Sequence, residues 1–150
     1  MAKKSFTPIP PMAELPPAEE INVREILDKY LAGEIDLICV LGPTASGKTR
    51  YAVRLAREIN GLLQRLARFP FAGCPSDCNG AEIISADSRQ VYRGMDIGTG
   101  KDLSEYEEIP YHLMDIVDAG TKYNIFEYQR DFEKVYKDIV DRGAIPILCG

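Results

Sequence analysis

No run of eighteen apolar residues occurs in this 150-residue sequence, and no apolar segment follows the basic start at Lys3-Lys4. Neither a membrane-spanning helix nor a secretory signal is therefore expected, and the cytoplasm is the expected compartment. Histidine is confined to His112. Cysteine occurs four times, without the spacing of a disulfide framework. Cys74 and Cys78 form a single C-x₃-C with no second pair and no neighbouring histidine, whereas a structural zinc needs four ligands. Cys39 and Cys149 fall in buried-strand patterns, where cysteine serves as a small hydrophobe. The formal net charge of −5 excludes a uniformly basic nucleic-acid-binding surface. One stretch runs against that balance: residues 41–80 carry Lys48, Arg50, Arg54, Arg57, Arg65 and Arg68 against Glu58 and Asp77. The simplest reading is the solvated face of an amphipathic helix.

The length suits one domain with one closed core. Residues 1–17 contain Pro8, Pro10, Pro11, Pro16 and Pro17 without apolar periodicity, which predicts a disordered leader ahead of a domain over residues 18–150. A helix is predicted from Ala18 to Leu31, stopped by Gly33. Ile35 to Leu41 is a nearly continuous apolar run, the pattern of a strand buried on both faces. Tyr51, Ala52, Leu55, Ala56 and Ile59 then share one helical stripe, and this helix is expected to continue through residues 62–67 despite Asn60-Gly61. Residues 68–80 read as an irregular excursion. Further strands are predicted at Glu82–Ala86, Tyr111–Val117 and Ala144–Cys149. Before the last, Asn124 with Glu127 forms a capping box for a helix whose stripe is Phe126, Phe132, Val135, Tyr136 and Ile139, stopped by Gly143. Alternating strands and helices imply an α/β fold with a parallel sheet, flanked by helices and binding ligands at the carboxyl ends of its strands.

Gly42-Pro43-Thr44-Ala45-Ser46-Gly47-Lys48-Thr49 is a complete G-x-x-x-x-G-K-[ST] loop between a strand and a helix. The glycines let successive backbone N–H groups converge on a phosphate, and the helix adds its positive N-terminal end. Lys48 supplies a mobile charge to the outer phosphate, and the Thr49 hydroxyl is placed to ligate Mg²⁺. Such a loop cradles any di- or triphosphate; ATP is only the commonest.

Asp87 ends the second strand beside that loop. Its residue type supports two roles, a general base and the N-cap of a helix with Gln90 completing a capping box. Gly98-Thr99-Gly100-Lys101 offers Lys101 as a second phosphate contact, but Met95 stands where the pattern needs its first glycine. His112 alternates with apolar neighbours and reads as structural. Asp115 and Asp118 suit a turn better than a water-mediated approach to Mg²⁺. The chain stops at Gly150, at the carboxyl end of a buried strand, where site residues of such sheets sit. The expectation is the N-terminal part of a longer protein, truncated in its C-terminal half, silent in catalysis and marginally stable alone.

The phosphate loop, the tract Glu82 to Lys101 (EIISADSRQVYRGMDIGTGK), Tyr111 to Asp118 (YHLMDIVD) and Ile145 to Gly150 (IPILCG) together resemble the successive blocks of the tRNA dimethylallyltransferases. The tract after the second strand is the most specific of these. The leader has no counterpart there, and the stretch from about Gly61 to Gly80 resembles an insertion. The resemblance implies a P-loop NTPase-like fold and transfer of a dimethylallyl group from its diphosphate to N6 of an adenosine beside the anticodon in tRNA. It implies Asp87 as catalytic base, Ser88, Arg89 and Gln90 (with Asp87) as tRNA contacts, residues 42–49 as the diphosphate site with Thr49 toward Mg²⁺, and a monomeric enzyme. Three other readings of the loop stay open: a small-molecule or nucleotide kinase, prenyl transfer to free adenine nucleotides, and diphosphate binding alone.

Overall fold

The computed structural model describes residues 20–43, 46–68, 79–87, 89–94 and 103–150. The leader, Thr44, Ala45, Cys74, Cys78, Ser88 and Lys101 lie outside the described residues.

Helix α1 spans Val23–Leu31 and begins later than its apolar spacing suggests, because the Asn22 side chain accepts from Glu25 N (3.2 Å) and fixes the N-terminus. Gly33 ends it at φ +75°. Strand β1 is Ile38–Val40, and helix α2 is Lys48–Arg68. Asn60 does not break α2. Its Oδ1 accepts from Ala81 N (2.9 Å), turning a weak helix former into a brace for the next strand. Strand β2 is Ala81–Ser85, buried throughout. Strand β3 (Tyr92–Arg93), a 3₁₀ turn at Leu103–Tyr106, strand β4 (Tyr111–His112) and strand β5 (Val117–Asp118) follow. Helix α3 (Ile125–Asp141) opens on the expected cap, with Asn124 accepting from Glu127 N (3.0 Å), and strand β6 is Ile145–Cys149.

Four strands form a parallel sheet in the order β1-β6-β2-β4. Alternation along the strands divides the core. Ile83 and Ile147 face the side covered by α1 and α2, where Leu27, Ala52, Leu55, Ala56, Ile59 and Leu63 are buried. Ile84 and Leu148 face α3, with Leu113, Phe132, Val135, Tyr136 and Ile139. This is the expected α/β fold, a parallel sheet flanked by helices with the phosphate loop between β1 and α2.

Four expectations are corrected. The strand read as Tyr111–Val117 is two short pieces: β4 pairs with β2, whereas β5 pairs with β3 in a separate two-stranded sheet. Leu113 (φ +62°) and Asp115 (φ +55°) turn the chain between them. That turn is held by Asp115 N to Gln90 O (3.1 Å) and Ile116 N to Val91 O (2.8 Å), partners distant in sequence. Phe126 is 77% exposed rather than part of the α3 stripe. It lies six residues before Phe132, about 240° around the helix, and Tyr128 takes the inward position. Cys39 is exposed, because α3 covers β6 and β2 but not the edge strand β1. Helix α1 starts at Val23, not Ala18.

His112 is structural, as expected. Its Nε2 lies 2.7 Å from Oε1 of Glu82, a buried carboxylate also gripped by Arg142 at 2.7 and 2.9 Å. Burial raises the Glu82 pKa, but hydrogen bonds from Arg142 and His112 outweigh it and hold the carboxyl below its ordinary 4.5. The stabilisation from this ionised carboxylate is therefore full above 4.5 and is lost as pH falls through the lowered folded value. Glu82→Gln should therefore cost about 2 kcal/mol at pH 7, the scale of a charged hydrogen bond. Urea unfolding of both proteins at pH 7 and pH 3 checks this; the gap should close in acid, and one that persists would locate the effect in packing instead.

Candidate functional site

The site begins where β1 runs into the phosphate loop. Space at Gly42 is tight, since a Cβ there would meet Ser46 Oγ at 3.0 Å and the Lys48 methylenes at 3.4 Å. Gly47 takes φ +83°, a conformation that other residues rarely adopt. Ser46 N donates to Pro43 O (3.3 Å), and Lys48 Nζ reaches back to Gly42 O (2.7 Å), so the lysine spans the loop it follows. The first turn of α2 contains no acidic residue. The positive helix end at Lys48 and Thr49 is thus left for an external anion.

The opposite wall comes from the end of β2. Asp87 does not cap a helix: the segment after it is a turn leading into β3. Its Oδ1 accepts from Arg89 N (2.9 Å) and Nε (3.2 Å), and its Oδ2 from Arg89 Nη2 (3.1 Å). A carboxylate accepting the N–H two residues on forms an Asx turn. Gln90 does not complete a capping box either, because its Oε1 accepts from Ser85 Oγ at 3.0 Å. Burial raises the Asp87 pKa, but the Arg89 hydrogen bonds, with the charges of Arg89 and Lys48, outweigh it and keep the carboxyl below its ordinary 3.8. Asp87 is an ionised acceptor at neutral pH.

These two walls meet in one cavity of about 270 Å³, lined by Lys48, Thr49, Ala86, Asp87, Gln90, Tyr106, Cys149 and Gly150. Phosphate loop and candidate base, read from the sequence as separate motifs, share it. Gly150 admits no side chain here, as its Cβ would stand 2.4 Å from that of Ala86. Asp115 and Asp118 do not line the cavity. Asp118 pairs with Arg93 (3.0 Å) and its carbonyl accepts from Thr121 N (3.1 Å), in keeping with a turn.

Four cavity residues were not anticipated for the site, Ala86, Tyr106, Cys149 and Gly150, and two of them carry a reactive side chain. Cys149 brings a thiol whose pKa burial pushes up, so it is a neutral neighbour rather than a thiolate. Tyr106 is 2% exposed, and burial pushes its phenol up to about 12. Nothing in its local sequence marks it. The available signal was the acidic run Glu105, Glu107 and Glu108, which pairs with the arginines of α2: Arg50 with Glu105 (3.4 Å), and Arg57 with Glu107 and Glu108.

Among the described residues no three His, Cys, Asp or Glu side chains gather as a metal cage. One hydroxyl, Thr49, and one carboxylate, Asp87, in the same cavity suit an ion that takes its other ligands from substrate oxygens and water. Mg²⁺ binds in that way.

Residues 90–150 match the IPP transferase family. The chain is 53% identical over 121 residues to a tRNA dimethylallyltransferase 2 of Bacteroides fragilis, covering 78% of this chain and 33% of the relative. It is 54% identical over 115 residues to a tRNA dimethylallyltransferase 1 of Geotalea daltonii, covering 77% and 31%. Among solved structures it resembles the tRNA delta(2)-isopentenylpyrophosphate transferase of Staphylococcus epidermidis, with TM-score 0.60 and 38% identity over 76% of this chain and 31% of that one. The Bacillus halodurans tRNA isopentenylpyrophosphate transferase matches with TM-score 0.61 and 36% identity over 77% and 32%. The chain spans about a third of the length of these relatives. Over that span, with its phosphate loop, its tract after β2 and its parallel sheet, the chain belongs to the IPP transferase family of tRNA dimethylallyltransferases.

Proposed function

We propose that the whole protein transfers the dimethylallyl group of dimethylallyl diphosphate to the exocyclic N6 of an adenosine in a tRNA anticodon loop, acting as a cytoplasmic monomer. The observation that carries the proposal is the shared cavity, in which Lys48 and Thr49 face Asp87. An anion site and a carboxylate base side by side suit an alkyl transfer with a diphosphate leaving group.

In this reaction the C1–O bond of the prenyl diphosphate breaks, N6 of adenine forms the new bond to C1, and pyrophosphate departs with the bonding electrons. The phosphate-loop N–H groups, residues 42–49, and the Lys48 ammonium bind the diphosphate and stabilise the charge that grows on it. Thr49 would hold Mg²⁺ together with diphosphate oxygens, and the ion when bound would neutralise part of that charge. N6 loses a proton as it bonds, and Asp87 takes it. The depressed pKa of Asp87 suits an acceptor that is already ionised. Ser88, Arg89 and Gln90 follow the base in the sequence and would contact the RNA. Arg89 is exposed and clasps Asp87; an RNA phosphate competing for that guanidinium would leave the carboxylate to the amine. Lys101 is kept as a substrate-side contact.

The deciding experiment incubates the whole protein with labelled dimethylallyl diphosphate, Mg²⁺ and unmodified tRNA. Label is expected in tRNA. Label in AMP or ADP instead would assign the activity to free nucleotides, and γ-phosphoryl transfer from ATP without prenylation would make the protein a kinase.

Two substitutions then separate the roles. Asp87→Asn retains an Oδ1 acceptor for Arg89 N and should keep the fold and the diphosphate affinity while lowering turnover by about 10²-fold or more. Near-normal turnover would place the base elsewhere. Lys48→Ala should weaken diphosphate binding as well as turnover, because its charge meets the diphosphate in both the ground and transition states. Calorimetric titration with dimethylallyl diphosphate beside steady-state rates distinguishes the two patterns.

A further inference from the structure

Asp87 is clasped by the exposed guanidinium of Arg89, and in the proposed reaction RNA draws that cation away. Something other than Arg89 must then keep the carboxylate at the cavity. The backbone beneath it is held residue by residue. Ala86 N donates to Cys149 O (2.8 Å), which ties the segment to β6. Asp87 N donates to Ser85 Oγ (3.3 Å), and the same hydroxyl donates to Gln90 Oε1 (3.0 Å). One buried side chain, 2% exposed, thus bridges the two sides of the turn that carries Asp87.

Ser85 is itself fixed from a further direction. Ile83 N donates to Pro110 O (2.9 Å) at the entry to β4, and Ser85, two residues on, presents its backbone groups to that same side. Strand β4 ends at His112, where Leu113 turns the chain at φ +62°. There α3 takes over, and the Tyr128 phenol donates to Ser85 O at 2.9 Å. Tyr128 belongs to the first turn of α3: its N–H donates to Asn124 O (3.0 Å), and its ring stacks on Phe132 with centroids 6.3 Å apart. Burial pushes the phenol up to about 12, so it stays a donor across the physiological range. We propose that Ser85 is a positioning residue for the proton acceptor, its hydroxyl fixing the Asp87 backbone so that the carboxylate stays at the cavity when Arg89 is withdrawn, with Tyr128 anchoring Ser85 from α3. The inference rests on the reading of Asp87 as the base. Ser85 does not line the cavity, so it acts on geometry and not by touching substrate.

The test is steady-state prenylation of tRNA by the whole protein as Ser85→Ala, Tyr128→Phe, Asp87→Asn and the Ser85→Ala, Asp87→Asn double variant, beside calorimetric titration with inorganic pyrophosphate. Ser85→Ala should lower kcat about tenfold, part of the roughly 10²-fold that a displacement of ~1 Å can cost. KM for dimethylallyl diphosphate and the pyrophosphate affinity should stay within about twofold of wild type, because Lys48 and the phosphate loop form the opposite wall. Tyr128→Phe keeps the ring on Phe132, loses only the hydroxyl and should lower kcat by about threefold. Without the base there is nothing left to position, so Ser85→Ala should change the residual turnover of Asp87→Asn by less than about twofold. Should Ser85→Ala fail to fold, Ser85→Cys, which keeps the volume with a weak acceptor in place of the hydroxyl, is read by the same criteria. A wild-type kcat in the Ser85 variant, an equal fall in both backgrounds, or a change confined to KM for tRNA overturns the proposal and leaves Asp87 as the base. A wild-type kcat in Tyr128→Phe overturns the anchor from α3. Near-normal turnover of Asp87→Asn, or a wild-type protein that transfers no prenyl group to tRNA, overturns the base and its positioning together.

Discussion

Val40, Cys149 and Ser85 stand side by side in the sheet, and the rest of the site is placed relative to that row. Beyond it, Gly150 N donates to Val40 O (3.1 Å) and Ala86 N to Cys149 O (2.8 Å), so three strands are still bonded as each leaves the sheet. From β1 the chain enters the phosphate loop; from β2 it reaches Asp87 two residues later. The two motifs are separated by a long helix and the residues that follow it, yet parallel pairing in this register places both on one rim. The cost is steric, because three backbones converge where β6 ends. Gly150 answers it by having no side chain to meet Ala86. A slip of one residue in β6 would turn its inward side chains to the opposite face and put a Cβ at that contact.

The charge of the chain is distributed with the same economy. A net −5 is an unpromising balance for a site proposed to take diphosphate and RNA, but the field that matters is local. The helix end without acidic residues and the Lys48 ammonium concentrate positive charge at one point of an acidic protein. The remaining positive excess of residues 41–80 is partly engaged inside the protein: Arg50 and Arg57 are answered by Glu105, Glu107 and Glu108. Most of that basic segment is therefore a helix face, as its periodicity suggested. Its sequence pattern alone does not reveal that part of the face clamps the turn bearing Tyr106.

What was legible in the sequence is what local physics decides. The phosphate loop, the cap at Asn124 and the stops at Gly33 and Gly143 depend on neighbours within a turn or two, and each stands where it was expected; the apolar run at residues 35–41 yields a strand only over Ile38–Val40, with Leu41 70% exposed. The unreadable features depend on partners far along the chain. Alternation continues past His112, but the strand ends there because residues 113–117 bond to Gln90 and Val91. Asp87-x-x-Gln90 has the spacing of a capping box, yet Ser85 claims the Gln90 side chain and no helix forms. Cys39 reads as buried because its strand is apolar, but burial also needs a helix overhead, and α3 lies too far across the sheet. Tyr106 carries no motif at all.

The two carboxylates of the β2 segment show how one set of forces serves two purposes. Burial raises the pKa of both Glu82 and Asp87, and cationic hydrogen-bond donors lower both by more. The difference lies in who holds the cation. Arg142 follows α3 and His112 belongs to β4, so Glu82 cannot lose its partners without the sheet and helix separating. Its charge is consumed in holding the fold. Asp87 is clasped by Arg89, two residues away in an exposed turn, and that guanidinium can leave without disturbing a strand. A carboxylate whose partner is removable can accept a proton in a reaction; one whose partners are structural cannot. In the proposed reaction, stability and chemistry would thus fall to two carboxylates at and just beyond the ends of β2, separated by the mobility of the counter-charge rather than by the carboxylates themselves.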